Sequence, residues 1–528
     1  MKKTVFLPVL FFLLLDISIP GSAQTAVFNK VFYDLQARVQ AYGISRSADS
    51  AYIIAGLKDD YPLALKMDAN GNILWSKQYT AGFGSMYCVT STSDQNILLA
   101  GYIYNSLADA DDILLIKITP EGDIIWSETI DMGYSDHPYS LRQTTDNGFI
   151  ITGGSSSGAA PPYYRALVIK LDADGNLVWG RMFHSGNMGN YAYAAAEAPD
   201  GGFVVTGCIG GSGATWVSNL VLFKLDQNGN LLWSKKEDTP AQQMACGTDV
   251  VILPDGMMCY KTTSSYEAFL LKTDLFGNTL WCKSLFINGN FPNDMPGPKL
   301  HKKPGGNFVF VNSSNQFAPL GQVVETDSAG EILWGRDLFI LSQDMVEAYD
   351  KGYMILGNGP IMGVIKPPTD RPQIGIIKLD STGYGNNCVS QNSAYSSPVT
   401  LNMVQANLTS ANGGQTTAYQ PQVVSLNLAS DTGCVAFTGG ISEQRTSGQI
   451  QVIPNPSGGV FRIEMDEKTG NAIRSVEIFN ELGELVFKVA GPFNPAENIK
   501  PGDLPSGLYE IRILTESKVC RGKAVIIH

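Results

Sequence analysis

Aspartates and histidines recur in the polar stretches between the apolar runs of this 528-residue chain, at Asp60, Asp111, Asp112, Asp136, His137, His184 and Asp294. Glycoside hydrolysis needs only two carboxyls about 5–10 Å apart, and a histidine can carry a proton beside them. Asp112, Asp136 and His137 are the candidate catalytic residues on that ground. No catalytic spacing recurs among them, so solvated loop charge is the competing reading. The chain has no H-E-x-x-H and no phosphate-binding loop. Four histidines leave little room for a His-rich metal site, and neither metal nor cofactor is expected. The repeated D-x-x-G-N (Asp68–Asn72, Asp172–Asn176, Asp226–Asn230) has the wrong spacing for a calcium loop and the right residues for a tight turn.

Aromatic residues fill the same polar stretches: Tyr104, Tyr134, Tyr139, Tyr163, Tyr164, Tyr191, Trp216, Tyr266 and Phe291. Rings with a polar tip suit partly wet binding surfaces. Tyr134, Tyr163, Tyr164 and Trp216 are the candidate ligand-binding residues, for a glycan or a protein partner. Packing of loops onto the strands beneath is the alternative.

What positions these side chains is a repeat. Trp75, Trp126, Trp179, Trp233, Trp281 and Trp334 are separated by 51, 53, 54, 48 and 53 residues. Each ends a phrase such as LALKMDANGNILWSK (63–77): an apolar strand, a turn with glycine, then a strand carrying the Trp. Upstream lies a second unit, as in DNGFIITGG (146–154) or PDGGFVVTGC (199–208), preceded by a fainter strand. Each repeat is thus four strands, A to D, and four-stranded repeats of about fifty residues are propeller blades. Turn glycines at 71, 122, 175, 229, 277, 330 and 383 count seven. The seventh repeat lacks strand D, and VFNKVF (27–32) aligns with LWSKQY (74–79), putting Phe28 at the Trp position. The expected fold is all-β: a seven-bladed β-propeller over 24–384 whose N-terminal strand closes the last blade. The A–B and C–D turns are then short and share one face. The B–C and D–A connections vary in length and share the other, where the acids and aromatics fall. A lysine recurs in strand C (66, 117, 170, 224, 272, 378), broken by Glu325, and reads as a repeated edge contact rather than a basic patch.

Lys+Arg 37 against Asp+Glu 49 gives −12, which argues against a nucleic-acid partner. Lys2 and Lys3, the apolar run Val5–Leu15 and the small residues Gly21-Ser22-Ala23 form a signal peptide over 1–23. Cys88, Cys208, Cys246, Cys259 and Cys282 lie in or beside apolar runs and read as buried thiols, whereas Cys388 and Cys434 bracket a polar segment and are the expected disulfide. That segment, 385–448, carries only Asp431, Glu443 and Arg445 as charges and reads as a small polar β-module or a linker.

Alternation at Phe461/Ile463/Met465 and Tyr509/Ile511/Ile513 predicts a small β-sandwich over 449–528. Pro454-Asn455-Pro456-Ser457, Leu482-Gly483-Glu484-Leu485-Val486, Leu504-Pro505-Ser506-Gly507-Leu508-Tyr509 and Lys523-Ala524-Val525-Ile526-Ile527 resemble the type A C-terminal sorting domain of Bacteroidota. The resemblance implies Sec export followed by the type IX secretion machinery, with Pro454, Asn455, Pro456, Gly483, Gly507, Tyr509 and Lys523 as the sorting motif. It also implies delivery to the medium or attachment to surface lipopolysaccharide after processing. The repeats are similar to those of other exported proteins of these bacteria, which names no activity. The resulting expectation is a secreted or cell-surface binder acting through the variable face, favoured over an enzyme. The alternatives are a polysaccharide hydrolase or lyase and a structural or adhesive surface protein.

Overall fold

The computed structural model describes residues 27–526 apart from 81, 106–109, 157–163, 186–188, 211–217, 239–244, 264–267, 287–298, 314–320, 339, 360–372, 386–388, 392–394, 402, 427, 433–447, 454–460, 466–472, 481–484, 494–499, 501–503, 505–506 and 516–518. The signal peptide, Cys388 and Cys434 therefore lie outside the described residues. The chain divides into two compact units, 1–436 and 437–528. Every described element of either unit is a strand, turn or bend.

Seven five-stranded sheets make up the first unit. In sheet 1, strands A to D are Val39–Arg46, Tyr52–Lys58, Tyr61–Met67 and Ile73–Thr80, paired antiparallel in that order. Sheets 2 to 6 repeat this meander, beginning at Gly84, Ser135, Tyr191, Ala245 and Leu300. Sheet 7 takes Leu341–Glu347, Tyr353–Asn358 and Ile374–Leu379 from one end of the chain and Phe28–Tyr33 from the other. Phe28 lies opposite Lys378 in that pairing, the register Trp75 has with Lys66 in sheet 1.

Each fifth strand comes from one segment. Val389–Gln391, Tyr395–Val399, Met403–Gln405, Thr409–Asn412, Gln415–Ala418, Gln422–Ser425 and Ala429–Thr432 add to strand D of sheets 6, 5, 4, 3, 2, 1 and 7 in turn. Composition suggested a module of its own for this segment; the pairing makes it a strap that visits every sheet in reverse order. In three sheets the serine after the Trp meets it. Ser76 and Ser234 donate to the carbonyls of Leu426 and Ala406 at 2.9 and 2.5 Å, and Ser127 donates to Tyr419. Between its strands the strap drops Leu401, Ala406, Leu408, Leu426 and Leu428 against the apolar clusters that join neighbouring sheets. Strands that would otherwise end each sheet as open hydrogen-bonding edges are thereby covered.

The same contact is repeated between successive sheets. Gly122, at φ 81°, leaves room for the ring of Trp75 in the preceding sheet, and a Cβ there would lie 3.0 Å from it. Trp126 stands in the same way on Gly175, Trp179 on Gly229, Trp233 on Gly277, Trp281 on Gly330 and Trp334 on Gly383. Phe28 stands on Gly71, so it occupies the Trp position in space as well as in register. Apolar clusters join sheet 7 to sheet 1 just as they join sheets 6 and 7.

The recurring strand-C lysine is paired within its own sheet, and Lys66 also donates to the Pro120 carbonyl of sheet 2 at 2.8 Å. Each lysine reaches an aspartate of the A–B turn: Lys66–Asp49 2.6 Å, Lys117–Asp94 2.8 Å, Lys170–Asp146 2.9 Å, Lys224–Asp200 2.6 Å, Lys272–Asp255 2.5 Å and Lys378–Asp350 2.8 Å. Sheet 6 reverses the charges, with Glu325 in strand C and Lys303 beside the turn at 3.0 Å. The D-x-x-G-N segments are turns: Asp68 accepts from the backbone N–H of Asn70 and Asn72 and from the Asn72 side chain. The five cysteines from Cys88 to Cys282 are free and buried.

In the second unit the described strands form one six-stranded sheet, in the order Arg462–Met465, Gly448–Ile453, Val519–Ile526, Gly507–Thr515, Ile473–Phe479, Leu485–Phe493. Two packed sheets were expected, and the described strands make a single one. The alternation holds: Tyr509, Ile511 and Ile513 are buried together with Val476, Ile478 and Phe461.

Candidate functional site

A single irregularity, repeated, builds the site. Strand A bulges at Tyr42, Tyr87, Tyr139 and Tyr193 in sheets 1 to 4, and at Thr248 and Gln343 in sheets 5 and 7. A bulge admits one extra residue and re-aims its side chain. A glycine within strand B permits it: a Cβ at Gly56, Gly101, Gly153 or Gly207 would overlap the carbonyl oxygen of Gln40, Ser85, His137 or Tyr191. Each bulged tyrosine precedes its glycine by fourteen residues (42 and 56, 87 and 101, 139 and 153, 193 and 207).

The tyrosines of neighbouring sheets then touch. Tyr42 and Tyr87 meet edge to face at 5.1 Å, and Tyr87 lies 5.4 Å from Tyr102. Tyr102 stacks on the His137 imidazole at 4.7 Å. Beyond it Tyr139 stacks on Tyr193 at 5.3 Å, Tyr193 on Tyr191 at 6.0 Å, and Tyr164 approaches Tyr191 to 5.0 Å. Burial raises Tyr42, Tyr87, Tyr191 and Tyr193 well above the ordinary phenol value, so each keeps its proton. The result is a band of seven tyrosines and one histidine across sheets 1 to 4, at the ends of the strands that carry the B–C and D–A connections.

His137 Nε2 lies 2.9 Å from Asp111 Oδ2. The Asp111 backbone N–H donates to Ser135 Oγ at 3.2 Å, which ties strand C of sheet 2 to strand A of sheet 3. The other acids have structural contacts. Asp136 is fully buried and accepts the Met132 N–H at 2.7 Å; burial lifts it to about 7 against the pull of Ser155 and that N–H. Asp112 is also buried, accepts from Asn105 Nδ2 at 2.9 Å, and is raised mainly by burial. Of the three candidate catalytic residues, only His137 is part of the aromatic band. Among the described residues no three His, Cys, Asp or Glu side chains group as metal ligands would.

Tyr164 joins the band, and Tyr134 stands exposed in the D–A connection between sheets 2 and 3. Tyr163, Trp216, Tyr266, Phe291 and Asp294 lie outside the described residues, as do Pro454, Asn455, Pro456 and Gly483 of the sorting motif. Gly507 opens its strand opposite Ile526, Lys523 lies opposite Glu510, and Tyr509 is buried. Tyr42, Tyr87, Tyr102 and Tyr193 were not singled out from sequence, although the fourteen-residue spacing to glycine marks three of them.

Below the band a cavity of about 180 Å³ is lined by strand A of sheets 2, 3, 5 and 7 and by Lys299 to His301 of sheet 6. Asp249 and Asp344, one position after their bulges, each receive a backbone N–H from a neighbouring sheet, Leu300 at 2.9 Å and Ile44 at 3.0 Å. Burial raises Asp344 to about 6. Arg142 donates to Asp249 and to the carbonyls of Ala195 and Val250 at 3.0 and 2.9 Å, binding sheets 3, 4 and 5 together.

Residues 451–527 match the family described as the secretion system C-terminal sorting domain. The protein is therefore exported by the type IX secretion system to the cell surface or the extracellular space, and its C-terminal unit engages that machinery. No curated protein matches the chain. Among solved structures, a protein of unknown function from Dyadobacter fermentans aligns with 68% of this chain and 100% of its own, at 10% identity and a TM-score of 0.38. A protein from Lactobacillus plantarum aligns at 14% identity over 58% of this chain and 94% of its own, TM-score 0.38. An endo-1,5-alpha-L-arabinanase from Thermotoga petrophila aligns at 12% identity over 69% and 99%, TM-score 0.22. Scores this low establish neither a shared fold nor a shared activity.

Proposed function

We propose that the seven sheets are the blades of a closed seven-bladed β-propeller, exported behind a signal peptide at 1–23, and that its tyrosine-lined face binds a glycan. Closure is supported by the sheet 7 strand drawn from Phe28–Tyr33, by the apolar cluster shared by sheets 7 and 1, and by the cavity on which five sheets converge. The observation that carries binding is the aromatic band. The partly exposed tyrosines of the band, Tyr102, Tyr139, Tyr164, Tyr191 and Tyr193, offer apolar ring surface for sugar rings and hydroxyls at their rims, backed by the buried Tyr42 and Tyr87. The Asp111–His137 pair beside Tyr102 adds a charged acceptor and a second ring, and the net charge of −12 favours a neutral or cationic ligand.

Titration of neutral polysaccharides and their oligosaccharides against the full mature chain tests this reading. Saturable binding is expected, falling at least tenfold in Tyr102→Ala and in Tyr191→Ala with the melting temperature held within a few degrees. Capture of a protein partner that both variants retain would overturn it. The enzymatic alternative now rests on Asp111 and His137 rather than on Asp112 and Asp136. It requires turnover of a bound glycan that His137→Ala abolishes.

A further inference from the structure

At the opposite ends of the same innermost strands lies a second cavity, of about 520 Å³, among the short A–B turns. Arg46 is four residues beyond Tyr42 on one strand, about 13 Å further along at the usual rise per residue. The volume falls within the range of small-molecule sites. Its wall comes from sheets 1, 2, 6 and 7: Ser45, Arg46, Ser91, His301, Glu347 and Tyr349 all contribute.

Three groups there are left with capacity to bind. The Arg46 guanidinium lies over the Tyr349 ring at 5.5 Å and has no carboxylate within ion-pair distance among the described residues. The ring is held in place by its hydroxyl, which donates to the Ser47 carbonyl, so Arg46 rests on a fixed platform. His301 lines this cavity as well as the smaller one, and its Nε2 is buried without a hydrogen-bond partner. A polar atom in that position costs free energy unless something fills the space and pairs with it. Burial also lowers the His301 pKa, which keeps the imidazole neutral and able to donate or accept. Glu347 is largely buried, and its nearest cation, Lys351, is 3.9 Å away. The hydroxyls of Ser45 and Ser91 complete the lining.

We propose that this funnel is a second binding site, for an acidic sugar unit whose carboxylate is taken by Arg46 and whose hydroxyls pair with Glu347 and His301. A guanidinium with an open edge matches a carboxylate in a forked, two-bond geometry. A carboxylate and a neutral imidazole match neighbouring hydroxyls, one accepting and the other doing either. A neutral sugar would leave Arg46 unmatched, and a simple anion would leave Glu347 and His301 unmatched. The site does not depend on what the tyrosine face binds.

The test is calorimetric titration of the full mature chain with glucuronate and galacturonate, with glucose and acetate as comparison ligands. Saturable binding of a glycuronate is expected, at least tenfold tighter than glucose or acetate. Arg46→Gln should lose at least tenfold in affinity, Arg46→Lys should retain part of it, and Tyr102→Ala should leave it unchanged. Equal affinity for acetate would reduce the site to an anion contact and overturn the proposal. So would equal affinity for glucose, unaltered binding in Arg46→Gln, or no binding by a chain of unchanged melting temperature.

Discussion

The side-chain amide of Asn358 pairs with both backbone groups of Ala41, 317 residues away, donating to its carbonyl at 2.7 Å and accepting its N–H at 2.8 Å. Asn358 ends strand B of sheet 7 and Ala41 lies in strand A of sheet 1, beside the Tyr42 bulge. Strand A ends its sheet, and Asn358 pairs with the two Ala41 backbone groups on that edge. It therefore joins sheet 7 to sheet 1 one residue before the first tyrosine of the band.

Replacing Asn358 with Ala leaves a buried donor and a buried acceptor unpaired. A loss of about 2–4 kcal/mol is expected in denaturant unfolding. Because the break lies between sheets 7 and 1, hydrogen exchange should rise first at Ala41, Ile44 and their neighbours. Uniform loss across all seven sheets would show that this contact is not special to the joint between sheets 7 and 1.

Burial holds Asp136 at about 7 and Asp344 at about 6, while both titrate near 4 when unfolded. Between those values the folded chain keeps protons that the unfolded chain has released. Stability from these two groups is therefore full below about pH 4 and is lost as pH rises through 6 and 7. His301 works in the other direction, since its lowered value adds stability as pH rises. Asp136→Asn removes one of the opposing contributions and keeps an acceptor for the Met132 N–H. Relative to the parent, the variant should gain about 1–3 kcal/mol between pH 5 and pH 8. Parallel melting curves over that range would sink the assignment.

Much of this was readable because it is local. A Trp strand, a turn glycine and a strand-C lysine recur at the same offsets in nearly every copy, so alignment alone puts Phe28 in the missing strand D. The strap was not readable in the same way. Its strands are three to five residues long, mostly polar and paired with partners up to about 400 positions away, so no apolar period marks them. A recurrence does exist, in strand starts six to eight residues apart at Val389, Tyr395, Met403, Thr409, Gln415, Gln422 and Ala429. Among the acids, side-chain type suggested Asp112 and Asp136 equally with Asp111. Only burial and partners separate them, and those depend on how neighbouring sheets meet.

Gly122 and Gly306 both hold positive φ, 81° and 88°, yet differ in what a side chain would meet. A Cβ at Gly122 comes within 3.0 Å of the Trp75 ring, whereas at Gly306 the nearest atom is Ser328 Cβ at 4.0 Å. Gly306→Ala should cost only the backbone strain, about 1 kcal/mol, and Gly122→Ala roughly 1–2 kcal/mol more. Trp75 fluorescence should change in the second variant alone. Equal destabilisation by the two would mean that the Trp–Gly contact adds nothing to the joint between sheets.

The strap makes a final prediction about order of assembly. Its strands pair only with strand D of finished sheets, and Leu401, Ala406 and Leu426 fill gaps that exist only once neighbouring sheets have met. It should therefore dock last and come away first. In native-state hydrogen exchange, amides of 403–405, 409–412 and 415–418 should open at lower free energy than those of strands A to C. A chain ending at 385 should keep the near-ultraviolet signature of its packed Trp rows but expose seven strand edges, and so should associate in a concentration-dependent way on size exclusion. Strap amides as protected as the innermost strands, or a truncated chain with no packed core at all, would show that the strap folds with the sheets rather than around them.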